Sequence, residues 1–506
     1  MTTDQLDDDH HGERPKNVPM IIASIAILLL LASLDQTIVS TALPTIVSDL
    51  GGLEHLSWVV TAYILSSTVV APLYGKIGDL YGRRNTVAVS VGIFLLGSAL
   101  CGISQDMTQL ILSRALQGLG GGGLFVLTLS VIGDVIPPQD RGKVQGVFAA
   151  VFSISSVVGP LLGGWFVDQF TWHWIFFINI PLGLVAAWTF WISFHPKMHR
   201  VSHKIDWMGA VTLSVSLASL TLVTTFGGRD FAWLSVEIIG LGAIALVFAV
   251  AFIMVELRAS EPIVPLELFK LNVFWVTSII GFISGAAMFG AITFLPLYLQ
   301  IAKGVTPTQS GLMLIPMTFG ILFSSTIAGQ TMSRLGKYYY LPIAGMISLI
   351  FGMYLLTNLE PDTSTLVFSL YIMTVGFGMG FIFPVVTTAV QNAVPKKQLG
   401  AATASGLLFR QVGGSLGVAV FGALFTARMT AQFAGAPGGM GEGMSSFGPQ
   451  MVAGLPEAAR SMVAQGVVEA LHPIYFVAMA LAAVGLGFAF ILKEVPLTNR
   501  HVPKGE

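Results

Sequence analysis

Charge is what this chain lacks most. Only 10% of its 506 residues are Asp, Glu, Lys or Arg, against about 25% in a soluble globular protein. A water-facing surface of this size cannot be built from so few. Net charge is −1, so there is no basic surface for nucleic acid. A single cysteine, Cys101, excludes a disulfide framework and a cysteine-based metal site, and it reads as a small apolar filler. Also missing is the phosphate-loop pattern G-x-x-x-x-G-K-[ST], so ATP does not drive the chain directly. The zinc pattern H-E-x-x-H and the nucleophile elbow G-x-S-x-G are missing too. With no catalytic constellation, the expectation is a non-enzyme with no cofactor and no metal site.

What is present is apolar. The chain is 54% hydrophobic, with 34 Phe and 56 Gly, as suits helices packed closely in lipid. A helix needs about 20 apolar residues to cross a bilayer. Fourteen such runs are found, at roughly 18–43, 56–74, 86–104, 108–133, 144–168, 174–195 and 207–227, then 234–256, 273–300, 309–331, 339–357, 365–389, 400–427 and 472–492. The prediction is an all-α polytopic membrane protein. Arg14 and Lys16 before the first run resemble the start of a signal peptide, but no small-residue cleavage site follows and the run continues through Asp35 to Pro44. Residues 1–17, including His10 and His11, read as a disordered tail; metal binding by the two histidines is the other reading of them.

An even number of spans puts both termini on one side, and basic residues mark the inner side. Of 25 Lys and Arg, nineteen fall on the side of the termini. Arg229, Lys303, Arg428 and Arg460 fall on the other, and Arg114 and Arg410 lie within runs. Both termini are therefore expected to be cytoplasmic, in a bacterial inner membrane. Most connections are short; the exception is outer segment 428–469, Gly-rich at first, with a short helical pattern from about Pro456.

The halves echo each other. At an offset of 254, Gly75 meets Gly329, Gly82 meets Gly336 and Arg83 meets Lys337; at 258, Pro137 meets Pro395, Gly142 meets Gly400, Gly159 meets Gly417 and Gly164 meets Gly422. An offset near 256 spans eight helices, so orientation is kept, as in a parallel repeat of two transporter halves. The expected layout is a tail (1–17), a six-helix bundle (18–205), two inserted helices (206–257), a second six-helix bundle (258–495) and a tail (496–506).

Charges inside spans cost about 2.5–3.5 kcal/mol on insertion scales. Asp35 lies nine residues before Pro44, roughly 13 Å deep, and Arg114 lies some six residues into its run from the same side, at similar depth. A carboxyl is pushed up by desolvation and down by a nearby cation. Such a pair suits a group that gains and loses a proton as access alternates; a structural ion pair is the other reading. Q-G-L-G-G-G-G (117–123) and G-P-L-L-G-G (159–164) let helix backbones approach, and Pro160 permits a bend. Plain packing explains them in part; a seam that sets which side opens is the functional reading, resting on Gly159, Pro160, Gly163 and Gly164. Arg410, within R-Q-V-G-G, could hold substrate, pair with a carbonyl or snorkel.

These motifs together resemble the major facilitator superfamily, and within it the fourteen-span drug:proton antiporters, over essentially all of residues 18–495. G-K-I-G-D-L-Y-G-R-R (75–84) is similar to the superfamily's inner-loop signature. L-D-Q-T-I-V-S-T-A-L-P (34–44), R-A-L-Q-G (114–118), G-P-L-L-G-G (159–164) and W-H-W-I-F-F-I-N-I-P-L-G (172–183) look like further signatures of that branch. The resemblance implies a major-facilitator fold, two six-helix bundles plus two inserted helices. It implies that Asp35 is the proton-linked acid, tuned by Arg114. Asp79 would latch the gate against the start of span 13, and Arg83 would reach Asp134; Gly75, Gly82 and Arg84 belong to the same motif. His173 stands where Arg is usual, read as a pH sensor or a packed interfacial residue. Ser40 replaces a common Asn, and Ser333 replaces the acid in the second-half echo, so any latch is asymmetric. Gln36, Met288, Phe289, Phe294, Tyr298 and Arg410 are candidates for a mid-membrane substrate cavity, and a lipophilic cation could compete with the proton if Asp35 faces it.

The expected function is export of lipophilic or amphipathic, often cationic, compounds in exchange for protons, with the proton gradient as the only drive. The partners are those compounds, protons and lipid; a monomer is expected, and a periplasmic adaptor stays open. A dedicated exporter of one metabolite, such as an antibiotic, lipid or siderophore, is the nearest alternative. A non-transporting membrane receptor or scaffold is the alternative of another class.

Overall fold

A computed structural model describes residues 18–50, 56–195, 206–228, 230–395, 398–433 and 456–497. Fourteen helical rods follow one another among them. The first eight are α1 (Val18–Leu50), α2 (Leu56–Tyr81), α3 (Arg83–Gly102), α4 (Met107–Val135), α5 (Pro138–Gln169), α6 (Trp174–Ser193), α7 (Trp207–Phe226) and α8 (Val236–Glu256). The others are α9 (Asn272–Ala302), α10 (Gln309–Leu335), α11 (Tyr340–Leu356), α12 (Thr365–Ala393), α13 (Leu399–Phe433) and α14 (Glu457–Ile491). Twelve of these are long and apolar enough to cross a membrane. The two that fall short do so for different reasons. α11 is apolar but only 17 residues long, whereas the 32 residues of α5 include several whose side chains lie outside the described ones.

Several edges differ from the sequence pattern. α1 continues past Pro44 to Leu50. A proline removes one helical hydrogen bond, which neighbouring helices make tolerable in a membrane bundle. The predicted loop 75–84 is helical as far as Tyr81, and Gly82 alone separates α2 from α3. Gly82 has φ 89° and its echo Gly336 has φ 64°, a left-handed geometry that glycine adopts at least cost. Both described ends of the predicted outer segment 428–469 are helical: α13 reaches Phe433, and α14 starts at Glu457 and runs unbroken to Ile491. Residues 434–455, the tail 1–17 with His10 and His11, and 498–506 lie outside the described residues.

Helix neighbours repeat at a shift of eight. In the first half α1 packs on α5 and α6, α2 on α4, and α3 on α4 and α6. In the second half α9 packs on α13 and α14, α10 on α12, and α11 on α12 and α14. Contacts between halves pair up the same way: α2 with α13 and α10 with α5, then α4 with α13 and α12 with α5. Each half has its own apolar core, built around Phe94, Leu124 and Phe190 in the first and around Phe274, Ile280, Met346, Phe368 and Tyr475 in the second. α7 and α8 pack on each other, and α7 also touches α2 and α13. Leu213, Leu217 and Phe252 share a core with Val69 and Leu73 of α2 and Leu408 of α13. The pair thus straddles the α2–α13 boundary between the halves. The face of the bundle from which α1 starts is called proximal below; the opposite face is distal.

Candidate functional site

Asp35 of α1 is completely buried, and both of its oxygens are occupied. Arg114 Nη1 donates to Oδ2 at 2.5 Å; Gln117 Nε2 and Asn179 Nδ2 donate to Oδ1 at 2.7 and 2.9 Å. Arg114 also donates from Nε to the Val59 carbonyl (3.2 Å) and from Nη1 to Gln117 Oε1 (2.6 Å). Its guanidinium lies 4.4 Å from the centre of the Tyr63 ring. Ser98 accepts from Gln117 at 2.7 Å. Five helices of the first half, α1, α2, α3, α4 and α6, therefore converge on one carboxylate. A charge in this setting is held by a cation and amide donors.

Sequence reading places Asp35 and Arg114 at matching depth, and the structure brings them together. It misses Asn179, Ser98 and Tyr63 as partners, and places Gln117 in two motifs, 114–118 and 117–123, without giving it a role beside Asp35. A signal was available for Asn179, a lone amide in an otherwise apolar run. Cys101 is buried beside the network, 3.8 Å from Gln117 Oε1. Asp35 is not exposed to a cavity in this conformation, so the idea of a cation competing there for the proton does not apply to it; the adjacent Gln36 is exposed.

A second cluster ties the halves together at the proximal face. Asp79 accepts from the backbone N–H groups of Gly400 (3.0 Å) and Ala401 (2.8 Å) at the start of α13. Arg83 bridges Asp79, at 2.8 Å, and Asp134. Arg84 points away, donating to the Trp191 carbonyl at 2.7 Å and stacking over that ring. On the symmetric side Ser333 donates to Asp140 at 3.1 Å, so the two sides differ in chemistry. The glycines matched by offset make this approach feasible. A Cβ on Gly75 would come within 2.8 Å of the Gly400 carbonyl, and one on Gly142 within 2.7 Å of Gly329 Cα. The same four glycines form two related crossings, one in each α2–α13 or α10–α5 contact. Gln391 of α12 adds a hydrogen bond to the Leu129 carbonyl at 3.0 Å. Nearby, Lys76 of α2 pairs with Glu261, just beyond the inserted helices, at 2.6 Å.

The remaining candidates divide. Gly159 lies against Thr37 of α1, and Gly163 is buried. Gly164 has open space where its Cβ would be, so close packing does not explain it. α5 runs helically through Pro160, whose side chain lies outside the described ones, as does that of Phe289. Phe294 and Tyr298 are buried in the second-half core, Phe294 against Phe425 and Tyr298 against Phe368, with Tyr298 Oη donating to the Glu360 carbonyl at 2.8 Å. Met288 packs on the same core. Apolar character fits core and cavity equally. A narrow cleft does lie between the halves, lined by Leu129, Phe383, Val386, Thr387, Thr403 and Arg410 among others, with room for little more than a water. His173 is stacked on Trp172 at 3.7 Å; partial burial lowers its pKa and Asp49 opposes this.

Comparison with known proteins agrees with this architecture. The sequence profile of the Major Facilitator Superfamily matches residues 25–418. The chain is 38% identical over 517 residues to "Multidrug transporter protein MdtP" of Bacillus subtilis (strain 168), covering 97% of this chain and 95% of that protein. It is 37% identical over 427 residues to "Multidrug resistance protein 3" of the same organism, covering 84% and 83%. Among solved structures, the human organic anion transporter MFSD10 (TETRAN) superposes with a TM-score of 0.61 over 92% of this chain and 99% of that one, at 13% identity, a likeness of fold alone.

Proposed function

Because the chain belongs to the Major Facilitator Superfamily, we propose that it is a secondary transporter that exports small lipophilic or amphipathic compounds in exchange for protons, by alternating access. The names of its relatives support efflux of varied compounds. The observation that carries the proton-coupled part is the Asp35–Arg114 pair, a fully buried carboxylate whose charge is held by one cation and two amides. Protonating Asp35 removes the charge that Arg114 balances, so the network must rearrange. Rearrangement in the first half alters how α2 and α4 meet α13, and α5 meets α10. Deprotonation restores the lock.

In this reading the proximal face is cytoplasmic, all fourteen rods cross the membrane, and the layout is six, two and six helices. The repeat of helix neighbours at a shift of eight supports that division. Asp79, with Arg83 and Asp134, serves as the cytoplasmic latch, and the present conformation has that side closed. Compounds would then leave toward the distal side.

The test uses full-length protein in proteoliposomes with an imposed pH gradient and a panel of dyes and antiseptics. Wild type should move several dyes with proton flux, and Asp35→Asn should lose gradient-driven transport while remaining folded in the membrane. Undiminished transport by a well-incorporated Asp35→Asn protein would overturn the coupling role. Transport of one compound, uncompeted by the others, would point to a dedicated exporter. No substrate-dependent proton flux would point to a receptor.

A further inference from the structure

The cleft between the halves contains a cation, Arg410, that no anion among the described residues balances. Arg410 sits eleven residues into α13, roughly 16 Å from its proximal end. Its backbone is fixed against α9: a Cβ on Gly285 would come within 3.1 Å of Arg410 Cγ, and Gly417, seven residues on, lies against Ala286. The side chain turns toward α12, where the guanidinium lies 4.7 Å from the centre of the Phe383 ring, and it lines the cleft. No hydrogen bond or ion pair is made by its guanidinium among the described residues.

The sequence explains why. α9, α10, α11, α12 and α13 contain no Asp or Glu, and the two acids of α14, Glu457 and Glu469, lie in its distal half. Across the cleft, the buried acids of the first half are already engaged, Asp35 by Arg114 and Asp79 by Arg83 and α13. A partly buried guanidinium stays charged, and its cost is lowest when an anion meets it. A ring on one side and apolar groups around it favour a planar or extended apolar body attached to that anion.

We propose that Arg410 is the anion-binding residue of the translocation cleft, taking the carboxylate, sulfonate or phosphate of an amphipath whose apolar body lies against Phe383 and Val386. This rests on the transport reading above and narrows it: the compounds handled include amphipathic anions or zwitterions, not lipophilic cations alone. The cleft is narrow in this conformation, and the anion enters when the proximal contacts part. The same head-group chemistry occurs in an exported solute and in an anionic phospholipid.

The experiment is calorimetric titration of the purified full-length protein with two probes of one body and opposite charge, naphthalene-2-sulfonate and 2-naphthylmethylammonium. Wild type is compared with Arg410→Gln, Arg410→Met and Arg410→Lys. The expected result is anion binding at least tenfold weaker in both neutral variants and partly retained in the lysine variant. The cation should change by less than twofold. Unchanged anion binding in the neutral variants, equal loss of both probes, or no anion binding by wild type overturns the proposal. Repeating the titration in nanodiscs of phosphatidylcholine with and without phosphatidylglycerol identifies the source. Competition by the anionic lipid assigns the site to a head group; its absence assigns the site to a soluble amphipath, and both uphold anion binding at Arg410. Binding needs no gradient, so an Arg410-dependent site in a protein that transports nothing keeps this inference and removes the exporter reading. Efflux of an anionic dye indifferent to Arg410→Gln does the reverse.

Discussion

Two arginines lie deep within helices of this chain, and they are held in opposite ways. Arg114 of the first half is buried on all sides, with a carboxylate, an amide, a carbonyl and a tyrosine ring as partners. Arg410 of the second half has one ring beside it and faces a cleft. The first is finished chemistry: charge is cancelled within one bundle, and changing it takes a proton. The second is unfinished, and only something that enters the cleft can complete it. The halves share a pattern of helix neighbours but not this function, so the duplication supplies two frames and the polar side chains specialise them.

The contrast can be broken most directly by removing each arginine in turn. Arg114→Leu strands the buried Asp35 and should destabilise the protein by about 3–5 kcal/mol, with loss of transport. Arg410→Leu removes a charge without a partner and should leave stability unchanged or raise it by about 1 kcal/mol. Thermal melting of both variants in the same detergent decides this; equal falls would mean that Arg410 is also internally satisfied.

Neutralising both members of the first pair sharpens the same point. Asp35→Asn combined with Arg114→Leu should recover most of the stability lost by Arg114→Leu alone, since no unpaired charge remains. Transport should stay absent, because no proton is taken up. Recovery of gradient-driven transport in the double variant would place coupling elsewhere.

A smaller effect is expected at the contact between the halves. Asp79→Asn weakens two hydrogen bonds to α13 and the pairing with Arg83, worth about 1.5–3 kcal/mol for a bond to a charged group. A cysteine placed at Thr387 in the cleft should then react with a soluble maleimide roughly tenfold faster. Cys101 is buried, so background labelling is low. An unchanged rate would mean that Asp79 does not hold the proximal side closed. The smallest effect is predicted for Lys76→Met, whose partly exposed pair with Glu261 contributes about 0–1 kcal/mol. Slower efflux at unchanged melting temperature would show that the segment after the inserted helices assists movement of α2.

Much of the site was legible before any coordinates. Asp35 and Arg114 stand out because a charge in an apolar run is costly wherever it is placed, and matching depth suggests pairing. Asp79, Arg83 and Asp134 were found through motif resemblance, and the offset glycines through repetition. The cavity residues were not legible. Phe294 and Tyr298 satisfy every pattern expected of a cavity lining and are core all the same, because apolar periodicity shows that a face is sheltered but not by what. Asn179 and Ser98 escaped because a single small polar residue carries little signal until its neighbours are known.

Composition alone determined that the chain is a helical membrane protein, since so few charges and so many apolar runs admit no other solvent. It also determined that Asp35 and Arg114 need partners. The tertiary structure decided which partners they have: three helices far apart in sequence, α1, α4 and α6, had to converge before one carboxylate could accept from Arg114, Gln117 and Asn179. It likewise decided that, among the described residues, Arg410 has a ring beside it but no hydrogen bond or ion pair. Whether a buried charge is balanced depends on distances of a few ångströms between separate helices, and those are set by packing rather than by the order of residues along any one of them.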